Sequence, residues 1–324
     1  MHAPSAILAF VLGLAATATA HRQHLSARDL ASHAAISKRC AAKAGEFTLA
    51  RKKRSLAKRS SIIPRDTSVN ITIESPHYST IQNDTCVLVP DVTAGPYVWP
   101  RSETLRQDMR EGQAGVLLYL DIGVLDVNTC EPVPNVLVDM WHCNATGSYS
   151  SFDALSPNIP FQQLLEMLNK TIGPNLDLHT GDSTFLRGMW PTDSNGVMEM
   201  ATIFPGFYVE RTIHIHVQAH TDWMVRGNGT VVSSNIVSTG QLFFDEALSE
   251  QVMALEPYAS HTQIERTTND VDSIYAGETV TGWSPVVQVE ALDGVDVANG
   301  MMGYITLGVN LTATSSQGAK LDHR

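Results

Sequence analysis

The chain has 324 residues, with 22 Lys or Arg against 33 Asp or Glu and a formal net charge of -11 at pH 7. This length is typical of one or two domains. The 43% hydrophobic and 17% charged residues exclude a wholly disordered, collagenous or coiled-coil chain.

Charge is distributed unevenly along the chain. Residues 1–59 contain eleven Lys or Arg and two Asp or Glu, so they sum to +9 and the remaining residues carry -20. An acidic body of that size repels nucleic acid and anionic lipid. We therefore expect neither nucleic acid nor a membrane as a partner.

The first residues have the pattern of an exported protein. An apolar run over Ala6–Ala16 is followed by small residues that end in Ala18-Thr19-Ala20, which predicts a signal peptide over residues 1–20. Residues 21–59 are interpreted as a basic pro-segment, with a flexible basic tail as the alternative, and the mature chain is expected to begin near Ser60. The dibasic pairs that support processing are Lys38-Arg39, Lys53-Arg54 and Lys58-Arg59.

Cysteines and glycosylation sequons agree with a secreted, extracellular protein. Cys40, Cys86, Cys130 and Cys143 have no C-x-x-C spacing, so the spacing suggests neither a zinc ribbon nor a thioredoxin-type site. Export favours a disulfide, and we expect Cys86 to pair with Cys130 while Cys143 stays free and buried. The Asn-x-Ser/Thr sequons, acceptors of glycosylation, are at Asn70, Asn83, Asn144, Asn169, Asn228 and Asn310.

Beyond a predicted linker over residues 60–83, residues 84–245 have strand-like patterns. Val116–Val127 and Val133–Trp141 flank a turn at Asn128–Pro134, which predicts a hairpin. Further alternating runs cover Thr184–Gly188, Val197–Ile203 and Thr212–Ala219. Short strands of this kind predict a mostly β fold, an antiparallel β-sandwich core with short helical and loop excursions.

Two segments depart from this core pattern. Apolar residues at i, i+3, i+4 and i+7 predict a helix within Pro160–Asn169. Residues 246–324 are predicted to be a C-terminal extension that adds edge strands over Ser284–Ala291 and Gly303–Val309 and ends in a disordered Ser/Gln-rich tail.

The densest chemistry lies in Phe204–His216, FPGFYVERTIHIH. His214 and His216 are two residues apart, so on a strand their imidazoles project from one face, with about 7 Å between the Cα atoms. That spacing suits chelation of one metal, although without further ligands the pair would be ordinary strand histidines. Tyr208 and Tyr149 would add phenolate oxygens, hard anionic donors that suit a trivalent iron.

Several sequence blocks follow one another along residues 84–245: CVLVPDVTAGPYVW, LRQDM, LYLDIGVLDVNTCEPVPNVLVDMWHCNATGSYS, FLRGMWPTDSNG, TIFPGFY, RTIHIH and GQLFF. In this order they resemble the intradiol ring-cleavage dioxygenases, and more closely their secreted fungal branch. The resemblance covers residues 84–245, and it implies a non-haem Fe(III) held by two Tyr and two His in a mostly β core. Carried over residue by residue, the implied ligands are Tyr149, Tyr208, His214 and His216.

The resemblance also implies roles around the iron and a reaction. Arg211 would lie beside the bound diol, and Gln241 would be a polar group behind the ligands. Because Gln241 follows His216 by twenty-five residues, more than is usual in the family, residues 220–238 are expected to be an inserted loop. The implied reaction is cleavage of a catechol-type diol by O2 between its hydroxylated carbons to a muconate-type diacid, with Tyr208 leaving the metal and taking up a substrate proton.

The sequence leaves other functions and the oligomeric state open. His214, His216 and His220 share one parity and would form a three-His zinc hydrolase centre, but on one strand they span almost 20 Å at about 3.3 Å per residue. A non-catalytic secreted β-sandwich that binds wall polymer would give the Tyr and His residues packing roles.

A monomer is expected, because residues 60–83 have no counterpart of the family's N-terminal helical dimerisation region.

Overall fold

The computed structural model describes residues 27–59, 85–87, 94–99, 104–169, 178–227, 231–279 and 284–312. Strands dominate these ranges, which confirms the mostly β class, while the predicted signal peptide, the linker and the tail beyond residue 312 lie outside them. The strands are β1 (Thr85–Val87), β2 (Leu117–Asp126), β3 (Leu137–Trp141), β4 (Arg187–Pro191), β5 (Val197–Ile203), β6 (His214–Val225), β7 (Val231–Phe243), β8 (Gln288–Ala291) and β9 (Met301–Val309). The α-helices are α1 (Ala27–Arg59), α2 (Phe161–Met167), α3 (Glu246–Met253) and α4 (Ser273–Glu278).

The strands form two sheets that face each other. The first sheet has the order β1-β9-β2-β5, with β8 also paired to β9, and the second has the order β4-β3-β6-β7. Pairing in the second sheet is antiparallel, whereas β9 runs parallel to both β1 and β2. The sandwich is therefore mixed, not wholly antiparallel as the sequence predicts.

The core lies between the two sheets and follows the two-residue period of the strands. Every second residue of β2, from Leu118 to Val124, is buried there against alternate residues of β3 and β6, such as Met140 and Val217. Burying each aliphatic side chain of this kind contributes about 1.5–3 kcal/mol. This packing holds β6, which carries both candidate histidine ligands, at a constant distance from the first sheet.

The predicted hairpin between Val116–Val127 and Val133–Trp141 is wrong. Both runs contain strands, β2 and β3, but the strands lie in different sheets. Only an isolated bridge between Leu125 and Pro132 remains of the hairpin, after which the chain crosses the sandwich. Partners distant in sequence, β5 and β9 for β2 and β4 and β6 for β3, occupy the positions that a hairpin would need.

The C-terminal strands complete the first sheet and do not simply extend its edge. The predicted edge strand Gly303–Val309 falls in β9, which lies between β1 and β2 and is buried at every position. Between β7 and β8 the chain forms α3 and α4, whose N-caps are Asp245 and Asp272. The helix predicted within Pro160–Asn169 is confirmed as α2, which buries two leucines.

Helix α1 occupies the segment that the sequence predicts to be a pro-segment. Its Cys40 forms a disulfide with Cys130 across a sequence separation of 90 residues, so the predicted pairing of Cys86 with Cys130 is wrong. Cys143 is free and buried, as predicted. Of the helices in the described ranges, α1 included, none is both long and apolar enough to cross a membrane.

Candidate metal centre

Strand β6 begins with the two candidate histidine ligands. His214 and His216 are buried, and their Nε2 atoms lie 3.2 Å apart, because alternate residues of a strand share a face. The hydroxyl oxygen of Tyr208 lies 3.3 Å from His214 Nε2. Three of the four predicted ligand atoms therefore converge on one point.

Tyr149 reaches the same point from the turn that follows β3. Its ring centroid lies 5.6 Å from that of Tyr208 and 6.1 Å from that of His216. The structure thus brings together all four residues to which the resemblance assigns iron binding. They come from three segments of the chain, so the site exists only once the sandwich has formed.

Two glycines allow the tyrosine loops to approach each other. Gly147 has a positive φ of 88°, and a Cβ there would lie 2.2 Å from the carbonyl oxygen of Phe207. A Cβ at Gly206 would lie 2.4 Å from the carbonyl oxygen of Ala145. Each loop therefore supplies a glycine where the backbone of the other passes, and a larger side chain would push the two tyrosines apart.

Aromatic rings hold one tyrosine and one histidine in place. Tyr97 stacks on Tyr149 with centroids 4.4 Å apart and an interplanar angle of 10°. Trp141 stacks on His216 with centroids 4.9 Å apart and an angle of 2°. Tyr97 and Trp141 both lie in sequence blocks that carry the resemblance, but sequence analysis assigns them no role. A sequence does not say which ring an aromatic residue will cover.

Arg187 fixes the turn that carries Tyr149, another role that the sequence does not reveal. Its guanidinium is buried and donates to the Ser150 hydroxyl at 2.9 Å, the Ser150 carbonyl at 2.9 Å and the Tyr97 carbonyl at 2.8 Å. Hydrogen bonds from a charged donor are stronger than neutral ones. One side chain therefore ties the Tyr149 turn to the loop whose ring covers it.

Burial controls the protonation of the four candidate ligands. Desolvation, with Arg211 as the next cause, holds the His214 pKa well below its ordinary value. Desolvation, followed by the repulsion that a protonated His214 would exert, does the same to the His216 pKa. Both imidazoles are therefore neutral and have a lone pair available for a metal. Desolvation also raises the pKa of Tyr208 to about 12 and that of Tyr149 well above 10, so these phenols ionise at neutral pH only beside a cation.

This donor set fits a ferric ion. The Tyr149 hydroxyl is buried and makes no hydrogen bond of normal geometry to the described residues, as expected of an atom whose partner is a metal. Imidazole suits iron, zinc and copper, while a hard trivalent cation favours anionic oxygen. The positive charge of the ion would also lower the phenol pKa values that burial raises.

The alternative three-histidine zinc centre has no such geometry. A register shift interrupts β6 between Ala219 and His220, and His220 Nε2 lies 4.0 Å from Asp139 Oδ2. Within the described part of the chain, no group of three or more His, Cys, Asp or Glu side chains could hold a metal ion. His220 therefore does not join His214 and His216 in a single site.

Arg211 belongs to a buried network beside the donors. It donates through Nη2 to Gln241 Oε1 at 2.6 Å and through Nε to Asp272 Oδ2 at 2.7 Å. Gln241 lies opposite His216 on β7, and the predicted inserted loop over 220–238 is largely a longer β6–β7 hairpin. The hairpin keeps the two strands in register, so the long gap in sequence still places Gln241 beside the site.

Asp272 is a site residue that sequence analysis does not identify. Its side chain is 0% exposed. Oδ2 also accepts from the Thr212 backbone N–H at 3.0 Å, and Oδ1 accepts from the N–H groups of Ile274 and Tyr275 at the start of α4. Burial acts to raise the Asp272 pKa, but the charge and hydrogen bond of Arg211 lower it below its ordinary value, so the carboxylate is ionised and holds Arg211 against the site.

Glu278, at the end of α4, is a buried carboxyl group next to this network, and its raised pKa can be tested through the pH dependence of stability. Its Oε2 accepts from the Gln241 N–H at 3.4 Å, and burial raises its pKa to about 8. The pKa of Glu278 is therefore higher in the folded protein than in the unfolded chain. The contribution of its protonated carboxyl group to stability is complete below about pH 4.3 and is lost as the pH rises through 8. Each unit of difference corresponds to about 1.4 kcal/mol of unfolding free energy at high pH.

We therefore expect Glu278→Gln to flatten the decline in stability from pH 5 to pH 8, because Gln does not ionise. The measurement is the free energy of unfolding by urea across that range for wild type and variant. Glu250→Gln, at an exposed position of α3, is the control and should leave the wild-type pH dependence in place. Parallel pH profiles for Glu278→Gln and wild type would contradict the assignment.

Comparisons with known proteins agree with the resemblance found in the sequence. A dioxygenase family model matches residues 94–173, a range that includes Tyr149 and ends before Tyr208. No curated protein matches the chain. An intradiol ring-cleavage dioxygenase from Tetranychus urticae has a solved structure that is 25% identical, with a TM-score of 0.54, and the match covers 69% of this chain and 94% of that one.

A second solved dioxygenase structure is 26% identical with a TM-score of 0.55, and the match covers 71% of this chain and 98% of that one. Together these matches confirm the resemblance to intradiol ring-cleavage dioxygenases and the enzyme class predicted from it. Assignment to the secreted fungal branch stays a prediction.

Proposed function

We propose that this intradiol ring-cleavage dioxygenase is an extracellular enzyme that uses non-haem Fe(III) and O2 to cleave a catechol-type diol between its hydroxylated carbons, giving a muconate-type diacid. The observation that carries the proposal is the convergence of two neutral imidazoles and two buried phenols beside a partly buried, charged arginine. Enzymes of this class use non-haem Fe(III), and the donor set described above fits that ion.

Ferric iron, when bound, would act as a Lewis acid that gathers both oxygens of the diol and makes the ring reactive towards O2. The protein's part is to orient the donors. His214 Nδ1 lies 2.6 Å from the Thr212 carbonyl oxygen, to which it donates, so its Nε2 is left as the lone-pair nitrogen. The stack of Trp141 on the His216 ring holds the orientation of that ring.

The two tyrosines differ in how firmly they are held. Tyr149 is covered face-on by Tyr97, whereas Tyr208 meets Tyr97 only edge-on, with centroids 5.7 Å apart. We assign the departing ligand to Tyr208 for this reason and by resemblance. Because burial raises the pKa of Tyr208 to about 12, its phenolate, when not bound to a cation, would be a strong base able to take a proton from a substrate hydroxyl.

Arg211 and Gln241 complete the catalytic set. The guanidinium of Arg211 is charged and pre-oriented by Asp272 and Gln241, so it stabilises negative charge that develops on the substrate without reorganising. A wall-polymer binding module would require neither four convergent donors nor an arginine held beside them by a buried carboxylate. The site therefore favours catalysis over the packing roles which that alternative gives these residues.

Export is supported by the chain's own chemistry. The predicted signal peptide, the sequons and the Cys40–Cys130 disulfide all fit an oxidising compartment, where disulfides persist. Recovery of the protein in the cell pellet with unmodified sequons would contradict export.

The expected monomer is a further proposal, and light scattering of the secreted protein tests it.

Oxygen uptake tests the proposed reaction directly. Purified protein loaded with iron should consume one O2 per molecule of catechol-type diol, without an external reductant, and should form a muconate-type product that absorbs in the ultraviolet. Resorcinol is the matched control, since its two hydroxyls are too far apart to chelate one metal and it should not be consumed. Iron near one per chain with no uptake on any ortho-diol would contradict the reaction, and zinc in place of iron would contradict the metal.

A further inference from the structure

We propose that helix α1 is a permanent, disulfide-held part of the enzyme, and that cleavage at Lys58-Arg59 converts the chain into a two-chain protein without releasing a pro-segment. The proposal rests on the proposed export, because dibasic processing and disulfide formation both belong to the secretory route. It concerns the face of the first sheet that points away from the core and from the metal centre.

The outer face of the first sheet is built to be covered. Asp121 on β2 and Thr306 on β9 point away from the core, yet both are buried. Arg51 of α1 is 1% exposed and pairs with Asp121, with Nε 3.0 Å from Oδ1, and it also donates to the Ile305 carbonyl at 3.0 Å. Thr48 exchanges a buried hydrogen bond of 2.9 Å with Thr306. Removing the helix would take the Arg51 guanidinium away from the Asp121 carboxylate, and breaking a buried ion pair is costly.

The sheet is also shaped to receive this helix. Gly123 lies on the same face of β2 as Asp121, and a Cβ there would lie 1.8 Å from Arg51 Nη1 and 2.5 Å from Phe47. Glycine in the interior of a strand is unfavourable by itself and often marks a close approach by another part of the chain. At position 123 that other part is α1, so β2 and the helix match in both charge and shape.

Only one of the three dibasic pairs is placed for processing. Lys38-Arg39 directly precedes the disulfide-bonded Cys40, and Arg39 donates to the Val127 carbonyl. Lys53-Arg54 lies within α1, so the helix would have to unfold before this pair could enter the active site of a protease. Lys58-Arg59 lies at the end of the helix, where cleavage requires the least unfolding. Hydrolysis there adds water across the Arg59–Ser60 amide, leaving a carboxylate on Arg59 and an amine on Ser60. Residues up to Arg59 then remain joined to the domain through Cys40 and Cys130.

Limited digestion tests the proposal without reference to iron or oxygen uptake, so its failure and that of the dioxygenase assignment are distinguishable. The full secreted chain, purified from a host that lacks dibasic processing, is treated with a dibasic-specific endoprotease and analysed by intact mass with and without reductant. We expect one linked species without reductant and two fragments, divided after Arg59, with it. A fragment ending at Arg59 that separates without reductant, a first cut after Arg39 or Arg54, or no cut would each overturn the proposal.

Two cysteine variants identify the link. Cys40→Ser should let the cut fragment separate in urea without reductant, while Cys86→Ser should leave the linked species intact. The pairing expected from the sequence, Cys86 with Cys130, lies wholly beyond Arg59. Under that pairing the cut fragment would already separate from the wild-type chain in urea without reductant, which would overturn the proposal.

Carboxylate variants in the Cys40→Ser background test the docking itself. Asp121→Ala removes the carboxylate that pairs with Arg51 and should release the cut helix in native buffer, because breaking a buried ion pair is costly. Glu131→Ala removes the exposed partner of Lys43 and should not, because exposed ion pairs contribute little. Equal release of the helix from the two variants, with both variants still folded by circular dichroism, would show that the ion pair does not hold α1.

Discussion

Tyr149→Phe is expected to lower iron retention, whereas Tyr208→Phe should keep more iron and lose the diol-cleaving rate. Each change removes one phenol oxygen and leaves the ring. The ring of Tyr149 remains stacked on Tyr97, so the loss is that of a donor that stays bound during turnover. Tyr208 supplies the base, and removing a positioned general base costs about 10²- to 10⁴-fold in rate.

Three measurements separate the two roles: iron per chain after gel filtration, visible absorption and kcat. Phenolate bound to Fe(III) absorbs visible light by charge transfer, so the wild type should be red to brown and both variants paler, with shifted bands. Tyr97→Phe is the control, since it preserves the stack on Tyr149 and removes a hydroxyl to which no ligand role is assigned. A colourless, iron-free wild type after expression with iron would falsify the ligand assignment, and unchanged spectra in both variants would return the tyrosines to packing roles.

Asp272→Asn is expected to lower kcat roughly 10- to 100-fold, the usual cost of losing a residue that orients an active-site group, with iron content unchanged. Asn still caps α4 well, so the helix should persist. The lost element is the negative charge that holds Arg211 at 2.7 Å. Freed from this partner, Arg211 would sample other positions and stabilise the developing charge less.

Asp245→Asn is the matched control for Asp272→Asn. Asp245 caps α3 through the N–H groups of Ala247 and Leu248, as Asp272 caps α4, but the described contacts of Arg211 do not include it. A positioning role predicts a fall in kcat for Asp272→Asn alone, with KM close to that of the control variant. Equal kinetics for the two variants, or loss of iron from Asp272→Asn, would show that Asp272 acts on stability or on the metal.

Short stretches of sequence are enough to predict those features that depend only on neighbouring residues. A strand has a period of two, so an H-x-H pair in an alternating run places both imidazoles on one face wherever the strand lies. Helix α2 and strand β5 follow in the same way from short windows. The ordered blocks add the dioxygenase resemblance, which the comparisons confirm.

Tertiary structure decided which distant segments meet. The β2 and β3 patterns are compatible with a hairpin, and only competition from β5, β9, β4 and β6 puts these strands in separate sheets. Asp272 lies sixty-one residues beyond Arg211 in a helix cap that resembles any other Asx cap. Cys40 reaches Cys130 only because α1 lies across the first sheet. Such contacts depend on the global register and on which faces must be buried, and no short window of sequence contains that information.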